Sequence, residues 1–301
     1  MNIFNFTIYL CLFNKSYNNI NYNIHENNFY KNTEYIIRHN KQNHTYKLGY
    51  NNFTDWSNKT FIKTYLNYIY RPNPKPKLII KTTTLPKSLD WRSTGIVNHI
   101  KNQGECGSCW AFSAISVIES NIAKRTKKIN SLSEQQMIDC VTDSYGCDGG
   151  WSSSVFRYLI GGENTTTNVH YPYLGVSDKC YFNQDVMRHG WIQDYISVDS
   201  TIDNLIRALY KYGPLSVAIN VDYKFKMYSE GIYESNTCSN YPGHLNHAVT
   251  LVGYGINPVY KKRYFILRNS WGSEWGMNGY MYFSADRGNM CGILNDVTVP
   301  I

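Results

Sequence analysis

A cysteine at the predicted start of a buried helix is the residue in this 301-residue chain best suited to chemistry. Cys109 follows a loop with glycines at positions 104 and 107, and apolar residues recur three and four positions apart from Trp110 to Ile122. This spacing predicts a buried helix that begins at Cys109. The partial positive charge at a helix N-terminus favours a thiolate over a thiol, so Cys109 is predicted to be a sulfur nucleophile.

Cys106 and Cys109 also form a Cys-x-x-Cys pair, which has other interpretations. Such a pair fits a redox couple, half of a metal site or part of a disulfide framework. A metal site is disfavoured because no second Cys/His pair occurs at ligand spacing, and no metal is predicted. A redox couple lacks a thioredoxin-like strand and helix nearby. Residues 106–110, Cys-Gly-Ser-Cys-Trp, match a local signature of nucleophilic cysteines, and we favour that interpretation.

Two further motifs supply partners for such a nucleophile. His247 begins an apolar run over 247–255, and Asn269 ends another run before Trp271 and a glycine-containing turn. A lone histidine or asparagine carries little weight. Together with Cys109, however, they provide a nucleophile, a base and an orienting amide, the three groups that acyl transfer to a thiol requires.

The elements that must position these residues change character along the chain. Helical patterns begin at Cys109, at a capping box formed by Ser133 and Gln136, and again near Val155 and over 201–212. Short β-branched or aromatic runs then dominate, at 215–220, 247–255, 263–270 and 279–284. A helical part followed by a sheet part predicts an α+β protein with a cleft between two lobes.

The N-terminal part is predicted to be a separate unit. Residues 3–13 are mostly apolar and fit either a short signal-peptide core or the first helix of a folded segment, and the residues do not separate the two. A helix is predicted over 22–43. Residues 71–84 are rich in proline and lysine, and alternating prolines oppose both helix and sheet. We therefore predict an exposed linker and a domain boundary there.

Charge and composition exclude two classes of partner. The formal net charge is +8, but residues 1–84 hold 11 basic and 3 acidic residues, which leaves 19 of each in 85–301. A nucleic-acid footprint should lie on the functional domain, so no nucleic-acid partner is predicted. No apolar run approaches the roughly 18 residues of a membrane span, and no membrane partner is predicted either.

The cysteine count indicates an oxidising compartment. Cys11 lies apart, and the seven cysteines from Cys106 onward are an odd number, so at least one of them has no internal partner. Six paired cysteines and one reactive thiol is the simplest arrangement. The count alone does not choose among the 15 ways of pairing six cysteines.

With these motifs in order along the chain, the sequence resembles the papain family of cysteine proteases, in its cathepsin L-like form, over nearly its full length. The resemblance implies a papain-like two-lobed α+β fold. A helical left lobe would face an antiparallel, β-barrel-like right lobe across a cleft, preceded by a helical inhibitory propeptide. It places the propeptide at residues 1–84, with 1–13 as a candidate signal segment, and the mature peptidase domain at 85–301.

The resemblance also implies roles for individual residues. Cys109 and His247 would form a thiolate–imidazolium pair, with Asn269 holding the imidazole and Trp271 shielding that hydrogen bond. The side chain of Gln103 and the backbone N–H of Cys109 would form the oxyanion hole. The reaction would be peptide-bond hydrolysis through an acylated sulfur, with no cofactor.

Substrate binding is inferred from the same resemblance. Gly149 and Gly150 would pair with substrate backbone, because glycine permits close approach. The pocket for the second residue before the cut would be formed by Trp151, Ser152, Ala218, Leu245 and Asp296. An acid at its floor implies acceptance of hydrophobic residues and of arginine or lysine; the alternative is a surface aspartate at the end of a strand. An endopeptidase is preferred, since no loop of the kind that confers dipeptidase activity is evident.

The implied disulfides and propeptide motifs extend the resemblance. The disulfides would be Cys106–Cys147, Cys140–Cys180 and Cys238–Cys291, which leaves Cys109 free. Two sets of propeptide positions fit, namely Phe29, Asn32, Ile36 and Asn40 on the long helix and Gly49, Asn51, Phe53 and Asp55 after it. Asn21 and His25 stand where the family has Glu and Arg. Protonation of His25 would then loosen the propeptide as pH falls, unless His25 is simply an exposed polar residue.

Two rival functions come from other classes. A catalytically silent homologue acting as a binding protein usually lacks the nucleophile, which is present here. A thiol–disulfide oxidoreductase would need Cys106 free to pair with Cys109. The resemblance implies protein and peptide substrates, the chain's own propeptide and cystatin-type inhibitors as partners, a monomeric state, and a lysosomal, vacuolar or secreted location.

Overall fold

The computed structural model describes residues 5–81, 84–183, 185 and 190–301. In these ranges the α-helices are α1 (Phe6–Leu12), α2 (Asn19–Asn40), α3 (Asn58–Tyr65), α4 (Cys109–Thr126), α5 (Glu134–Cys140), α6 (Ser152–Ile160) and α7 (Ile202–Tyr212). The strands are β1 (Tyr46–Leu48), β2 (Lys77–Leu78), β3 (Leu89–Asp90), β4 (Tyr195–Val198), β5 (Leu215–Ile219), β6 (Tyr228–Tyr233), β7 (His247–Ile256), β8 (Arg263–Arg268), β9 (Tyr280–Ser284) and β10 (Val297–Pro300).

The strands form one sheet in the order β1-β6-β9-β8-β7-β5-β10-β4-β2, with β3 against β7. Long β7 lies between β5 and β8 and is antiparallel to both. Because Thr250 pairs with Arg268 in an antiparallel register, the start of β7 and the end of β8 lie at the same end of the two strands. This register brings His247 and Asn269 together from positions 22 residues apart.

Each of the two lobes has its own apolar core, as expected for the two-lobed α+β protein that the sequence predicts. One core lies among α4, α5 and α6 and includes Trp110, Met137 and Phe156. The other lies over the sheet and includes Leu251 and Phe265. Helix α4 contacts β7 and β5 and thereby bridges the two cores.

A buried hydroxyl fixes how α4 meets the sheet. Ser113 Oγ lies 2.7 Å from Ser216 Oγ and donates to the Val249 carbonyl at 2.8 Å. Since Ser113 lies one turn after Cys109, this contact directs the N-terminal end of α4 toward the start of β7.

Local patterns in the sequence predicted these helices well. The capping box is confirmed: Ser133 Oγ accepts from the Gln136 N–H at 3.0 Å, and α5 begins at Glu134. Helix α7 begins after Thr201, which caps it, and ends at Gly213. The four predicted strands are present as β5, β7, β8 and β9.

Four sheet segments of the peptidase part were missed, namely β3, β4, β6 and β10. Each is short, and each forms only by pairing with distant residues, as β10 does with β4 and β5. The prediction that 71–84 avoids sheet is also wrong. Lys77 and Leu78 pair with β4 in parallel, because they follow the last proline at 76 and keep their N–H groups.

Three disulfides tie the chain: Cys106–Cys147, Cys140–Cys180 and Cys238–Cys291. They are the pairs that the family resemblance implies. Among the described residues Cys11 and Cys109 remain free thiols. Since Cys106 is bonded to Cys147, it is not available for a redox couple with Cys109.

The N-terminal part folds onto the rest of the chain. Helix α1 packs on α2 through Phe6, Tyr9 and Phe29, and the Tyr9 hydroxyl donates to Asp55 Oδ1 at 2.9 Å. This packing supports the interpretation that residues 6–12 are the first helix of the folded N-terminal segment. Within the described ranges, no helix is long and apolar enough to cross a bilayer.

Candidate active site

Cys109 is the first residue of α4 and is fully buried. Backbone N–H groups of Ala248 and Trp110 point at its sulfur and favour the charged form. Burial has the larger effect and raises the pKa of the Cys109 thiol to about 12. Cys109 thus lies at a helix N-terminus, as the sequence predicts, and in this covered state the loss of water outweighs the effect of the helix field on its pKa.

His247, at the start of β7, is held by one ring nitrogen. Its Nε2 donates to Asn269 Oδ1 at 2.9 Å, while its Nδ1 is buried and has no hydrogen-bond partner among the described residues. The next residue along the strand is Ala248, whose N–H reaches the Cys109 sulfur. The unpartnered nitrogen and the thiol therefore belong to the same small region of the cleft.

Burial also keeps the imidazole neutral. It lowers the pKa of His247 to about 4, against the opposing effect of the hydrogen bond to Asn269. The thiolate–imidazolium pair expected from the family resemblance is thus disfavoured in this covered state, where both groups are neutral at neutral pH.

Asn269 and Trp271 orient and cover the imidazole. The Asn269 carbonyl oxygen also accepts from the Ser270 N–H at 2.8 Å, which fixes the side-chain amide. The Trp271 ring lies 4.7 Å from the His247 ring, centroid to centroid, and is itself 2% exposed. The hydrogen bond between His247 and Asn269 is therefore shielded from water, as the resemblance implied.

Gln103 is held by a residue that the sequence analysis did not identify. Its Oε1 accepts from Ser270 Oγ at 2.7 Å, which leaves Nε2 as the donor facing the cleft. Nε2 donates to the Cys106 carbonyl at 2.8 Å and lies 3.4 Å from the Tyr65 carbonyl of α3. Ser270 adjoins Asn269 in the chain, but only the folded contact over 167 positions reveals its role.

Gly149 and Gly150 lie beside an extended segment that follows α3. The Gly150 carbonyl accepts from the Ile69 N–H at 2.9 Å, and the bridge between Tyr68 and Gly150 is parallel. A Cβ on Gly149 would lie 2.3 Å from the Asn67 carbonyl oxygen, and Gly149 has a φ of +125°. Glycine is therefore required for this close approach of two backbones.

The predicted specificity pocket holds Tyr68. Its hydroxyl donates to Asp296 Oδ2 at 2.6 Å, and Ser152 contributes a backbone hydrogen bond to the same hydroxyl. Burial raises the pKa of Asp296 to about 6, while the Tyr68 hydrogen bond opposes that shift. The ring lies in the same apolar cluster as three other predicted pocket residues, Trp151, Ala218 and Leu245.

Trp271 lies apart from that pocket. Its ring packs edge-on against Phe53, Phe61 and Tyr65, which precede the extended segment. Trp271, which is also predicted to bind substrate, thus contacts the propeptide up to Tyr65, whereas Gly149, Gly150 and Asp296 contact residues 67–69.

The N-terminal segment is fastened to the sheet by its predicted motifs. The Gly49 N–H donates to the Met227 carbonyl at 2.8 Å, and Asn51 Nδ2 donates to the Lys226 carbonyl at 2.7 Å. Strand β1 then pairs with β6. The predicted positions on the long helix α2 make contacts within the N-terminal segment itself. Asn40 Nδ2, for example, donates to the Leu48 carbonyl at 2.7 Å.

His25 lies against Asp55 within the N-terminal segment, with its Nδ1 3.1 Å from the Asp55 carbonyl oxygen. Its Nδ1 lies 3.3 Å from Asp55 Oδ2, and its ring stacks on Tyr17. With 23% of its side chain exposed, His25 is therefore not simply an exposed polar residue.

In the N-terminal segment, His39 is buried in a way that disfavours its protonated form, and no sequence pattern indicated this. It is 5% exposed and its ring stacks 4.0 Å from His44. Burial lowers the pKa of His39 to about 4, and His44, Lys224 and Lys47 add to the effect. Its neutral form contributes stability above the ordinary pKa of about 6.5, and that contribution is lost as pH falls toward 4.

Comparison with known proteins gives the same architecture. Residues 85–301 match the papain family of cysteine proteases, and residues 6–61 match the cathepsin propeptide inhibitor domain. The chain is 35% identical over 308 residues to mouse pro-cathepsin H, covering 99% of this chain and 90% of that protein. It is 36% identical over 306 residues to a cathepsin L-like proteinase of Fasciola hepatica, covering 96% of this chain and 90% of that protein.

Solved structures agree. Digestive procathepsin L2 proteinase from the larval midgut of Tenebrio molitor superposes with a TM-score of 0.91 at 31% identity, covering 98% of each chain. The fold is therefore that of a two-lobed thiol peptidase in its precursor form. The chain belongs to the papain family of cysteine proteases, hydrolases that act on peptide bonds, and it carries a cathepsin-type inhibitory propeptide.

Proposed function

We propose that this chain is the self-inhibited precursor of a cysteine endopeptidase whose nucleophile is Cys109 and whose base is His247. The observation that carries the proposal is the state of the imidazole. One nitrogen is fixed by Asn269, and the other is buried and unpartnered among the described residues, next to the strand position whose N–H meets the Cys109 sulfur. This is the arrangement of nucleophile, base and orienting group that covalent acyl transfer requires.

The reaction begins when the propeptide has left and water enters the cleft. The helix N-terminus and the Ala248 N–H then favour the Cys109 thiolate, with its proton on His247 Nδ1. The sulfur attacks the peptide carbonyl carbon. Gln103 Nε2 and the Cys109 N–H donate to the developing oxyanion, and one such donor contributes roughly 3–4 kcal/mol to lowering the barrier.

His247 then moves the proton in both half-reactions. It gives the proton to the leaving amine as the C–N bond breaks, which leaves a thioester on Cys109. Water attacks the thioester carbonyl while His247 Nδ1 accepts a proton from it. The C–S bond breaks, the acid product leaves and the thiolate–imidazolium pair is restored. Neither half-reaction calls for a cofactor.

We assign inhibition to residues 1–84 and activity to residues 85–301. The segment around Tyr68 forms a parallel bridge with Gly150, covers the sulfur and brings the Tyr65 carbonyl to Gln103. Residues 84 and 86 are exposed, which supports cleavage near this boundary. The three disulfides favour an oxidising compartment, in keeping with a lysosomal, vacuolar or secreted enzyme. We further propose a monomer with protein and peptide substrates and cystatin-type inhibitors.

The decisive experiment labels the acid-matured protein with an epoxysuccinyl peptide and locates the adduct by mass spectrometry. We expect one adduct, on Cys109, together with loss of cleavage of a Phe-Arg reporter. Peptide mapping should also place the new N-terminus near residue 85. Folded protein that takes no adduct and cleaves no reporter would instead be a silent homologue.

Asp296 is expected to let the mature enzyme accept arginine, as well as hydrophobic residues, at the second position before the cut. Its carboxylate meets the hydroxyl at the tip of Tyr68, where the end of a long substrate side chain would lie. Asp296→Ala is expected to lower kcat/KM for an Arg-Arg reporter about tenfold relative to a Phe-Arg reporter, the effect of one hydrogen bond to a charged group.

Asp203→Ala is the matched control, because Asp203 is an exposed acid in the first turn of α7. It is expected to leave the ratio of the two rates unchanged. An enzyme that does not cleave the Arg-Arg reporter, with the Asp296→Ala ratio equal to that of the wild type, would disprove the preference.

A further inference from the structure

We propose that Glu105 makes the mature enzyme prefer a lysine or arginine on the leaving-group side of the scissile bond, with that side chain lying across Trp271. This inference rests on the proposed peptidase function and adds a second point of selection to it. It concerns the side of Cys109 opposite the Asp296 pocket.

The inference starts from a cavity between the propeptide and the peptidase lobes. Its volume is about 220 Å³. The propeptide lines it with Phe13, Lys15 and Phe53, among others, and the peptidase part lines it with Asn102, Glu105 and Trp271. When the propeptide leaves, the three peptidase residues remain as one open shelf.

The position of the shelf follows from the path of the propeptide. Residues 67–69 lie against Gly149 and Gly150, on the side assigned to the acyl part of a substrate. Tyr65 lies against Gln103 and against Trp271, and thus marks the crossing to the other side. A substrate that extends past Cys109 from the Gly150 side must therefore pass over the shelf with its leaving-group residues.

A cation already occupies this place in the precursor. The Lys15 ammonium donates to Asp55 Oδ1 and to the Asn52 carbonyl, each at 2.6 Å. Burial lowers the pKa of Lys15, whereas the charges of Asp55 and, more weakly, Glu105 favour the protonated form. Asp55 departs with the propeptide. Glu105 is then the one acid among the cavity's described lining residues.

The chemistry of the shelf matches a long basic side chain. Glu105 is exposed even in the precursor, so its carboxylate is open to a partner once Lys15 has gone. An indole face attracts a guanidinium or ammonium group and packs against the aliphatic stem beneath it. The carboxylate supplies the opposite charge at the end of that stem. A neutral side chain of equal length would keep the packing and lose the charge contact.

The test uses the full mature enzyme and quenched fluorescent peptides that share one acyl side. Lysine, norleucine or glutamate is placed in turn at each of the first three positions after the cut, and kcat/KM is measured. At one of these positions we expect lysine to exceed norleucine about fivefold, and glutamate to be the poorest. The lysine advantage should shrink at 0.5 M salt, because the contact is exposed.

Two variants test whether the advantage of lysine over norleucine depends on the Glu105 carboxylate. Glu105→Gln is expected to bring lysine and norleucine to equal rates, and Glu105→Lys to reverse their order. Glu274→Gln is the matched control, since Glu274 is an exposed acid in the Trp271 turn that does not line the cavity; it should keep the lysine advantage.

Two results would overturn the inference in different ways. Equal rates for lysine and norleucine at all three positions, or an advantage that survives Glu105→Gln, would reject the role of Glu105 alone. If neither the peptides nor a Phe-Arg reporter without leaving-group residues is cleaved, the peptidase proposal fails and this one fails with it.

Discussion

Replacing Cys109 with alanine is expected to abolish peptide hydrolysis and leave a folded precursor. Among the described residues the sulfur is the nucleophile adjoining His247, so kcat should fall about a millionfold, as when the nucleophile of a comparable catalytic triad is removed. The side chain is buried and alanine fits the same space, so the Ala248 and Trp110 N–H groups lose only a weak sulfur acceptor. The measurement is kcat/KM for a Phe-Arg reporter after the propeptide has been removed with immobilised pepsin, which needs no activity of the variant.

The matched control is Cys11→Ala, which removes the other free thiol. Cys11 is exposed on α1, within the segment that is lost on maturation. It is expected to leave both the activity and the epoxysuccinyl adduct unchanged. A Cys109→Ala enzyme that keeps activity above a thousandth of the wild type would show that the nucleophile lies elsewhere.

The second large effect is expected at Gln103. Gln103→Ala removes one donor to the oxyanion, so kcat should fall by roughly 10² to 10³ with little change in KM. The reason is geometric. Ser270 fixes the amide so that Nε2 faces the cleft, and the donor therefore needs no reorientation when charge develops on the substrate oxygen.

Ser270→Ala tests how much the positioning of the Gln103 amide contributes, separately from the hydrogen bond that this amide donates to the oxyanion. It keeps the Gln103 amide but frees its oxygen, so we expect a smaller loss of kcat than for Gln103→Ala. The mature variants should have similar melting temperatures, which excludes unfolding as the cause. If Gln103→Ala raised KM and left kcat intact, Gln103 would bind the ground state and would not stabilise the transition state.

In the precursor, the exclusion of water disfavours the charged forms of the proposed nucleophile and base. Burial raises the pKa of the Cys109 thiol and lowers the pKa of His247, so both groups lose the charges that the reaction needs. The same backbone N–H groups that favour a thiolate are in place throughout. Removing the propeptide therefore restores solvent to a site whose polar groups are already arranged.

Several features of the protein could be predicted from the sequence because they depend on neighbours in the chain. The spacing of apolar residues after Cys109 predicted α4, and the capping box at Ser133 predicted the start of α5. The alternating and apolar runs predicted β5, β7, β8 and β9. Motifs of several residues at His247 and Asn269 identified the family for the same reason, since each is a continuous local pattern.

Contacts between residues far apart in the chain could not be predicted from local sequence patterns. The hydroxyl of Ser270 meets Gln103 across 167 positions, and Tyr68 reaches Asp296 across 228. The short strands β6 and β10 exist only because of their partners. Nothing in the residues near His25 or His39 indicates that one faces a carboxylate while the other is buried among positive charges.

The sequence by itself therefore determined which groups are present: a thiol at a helix N-terminus, an imidazole, an amide to hold it, and an N-terminal segment able to fold over them. Only the tertiary structure decided the state of those groups. Charge on Cys109 and His247 depends on access to water, and residues far along the chain, such as Tyr65 and Tyr68, remove that access. A local pattern fixes backbone conformation, but solvation is a property of everything that packs around a side chain.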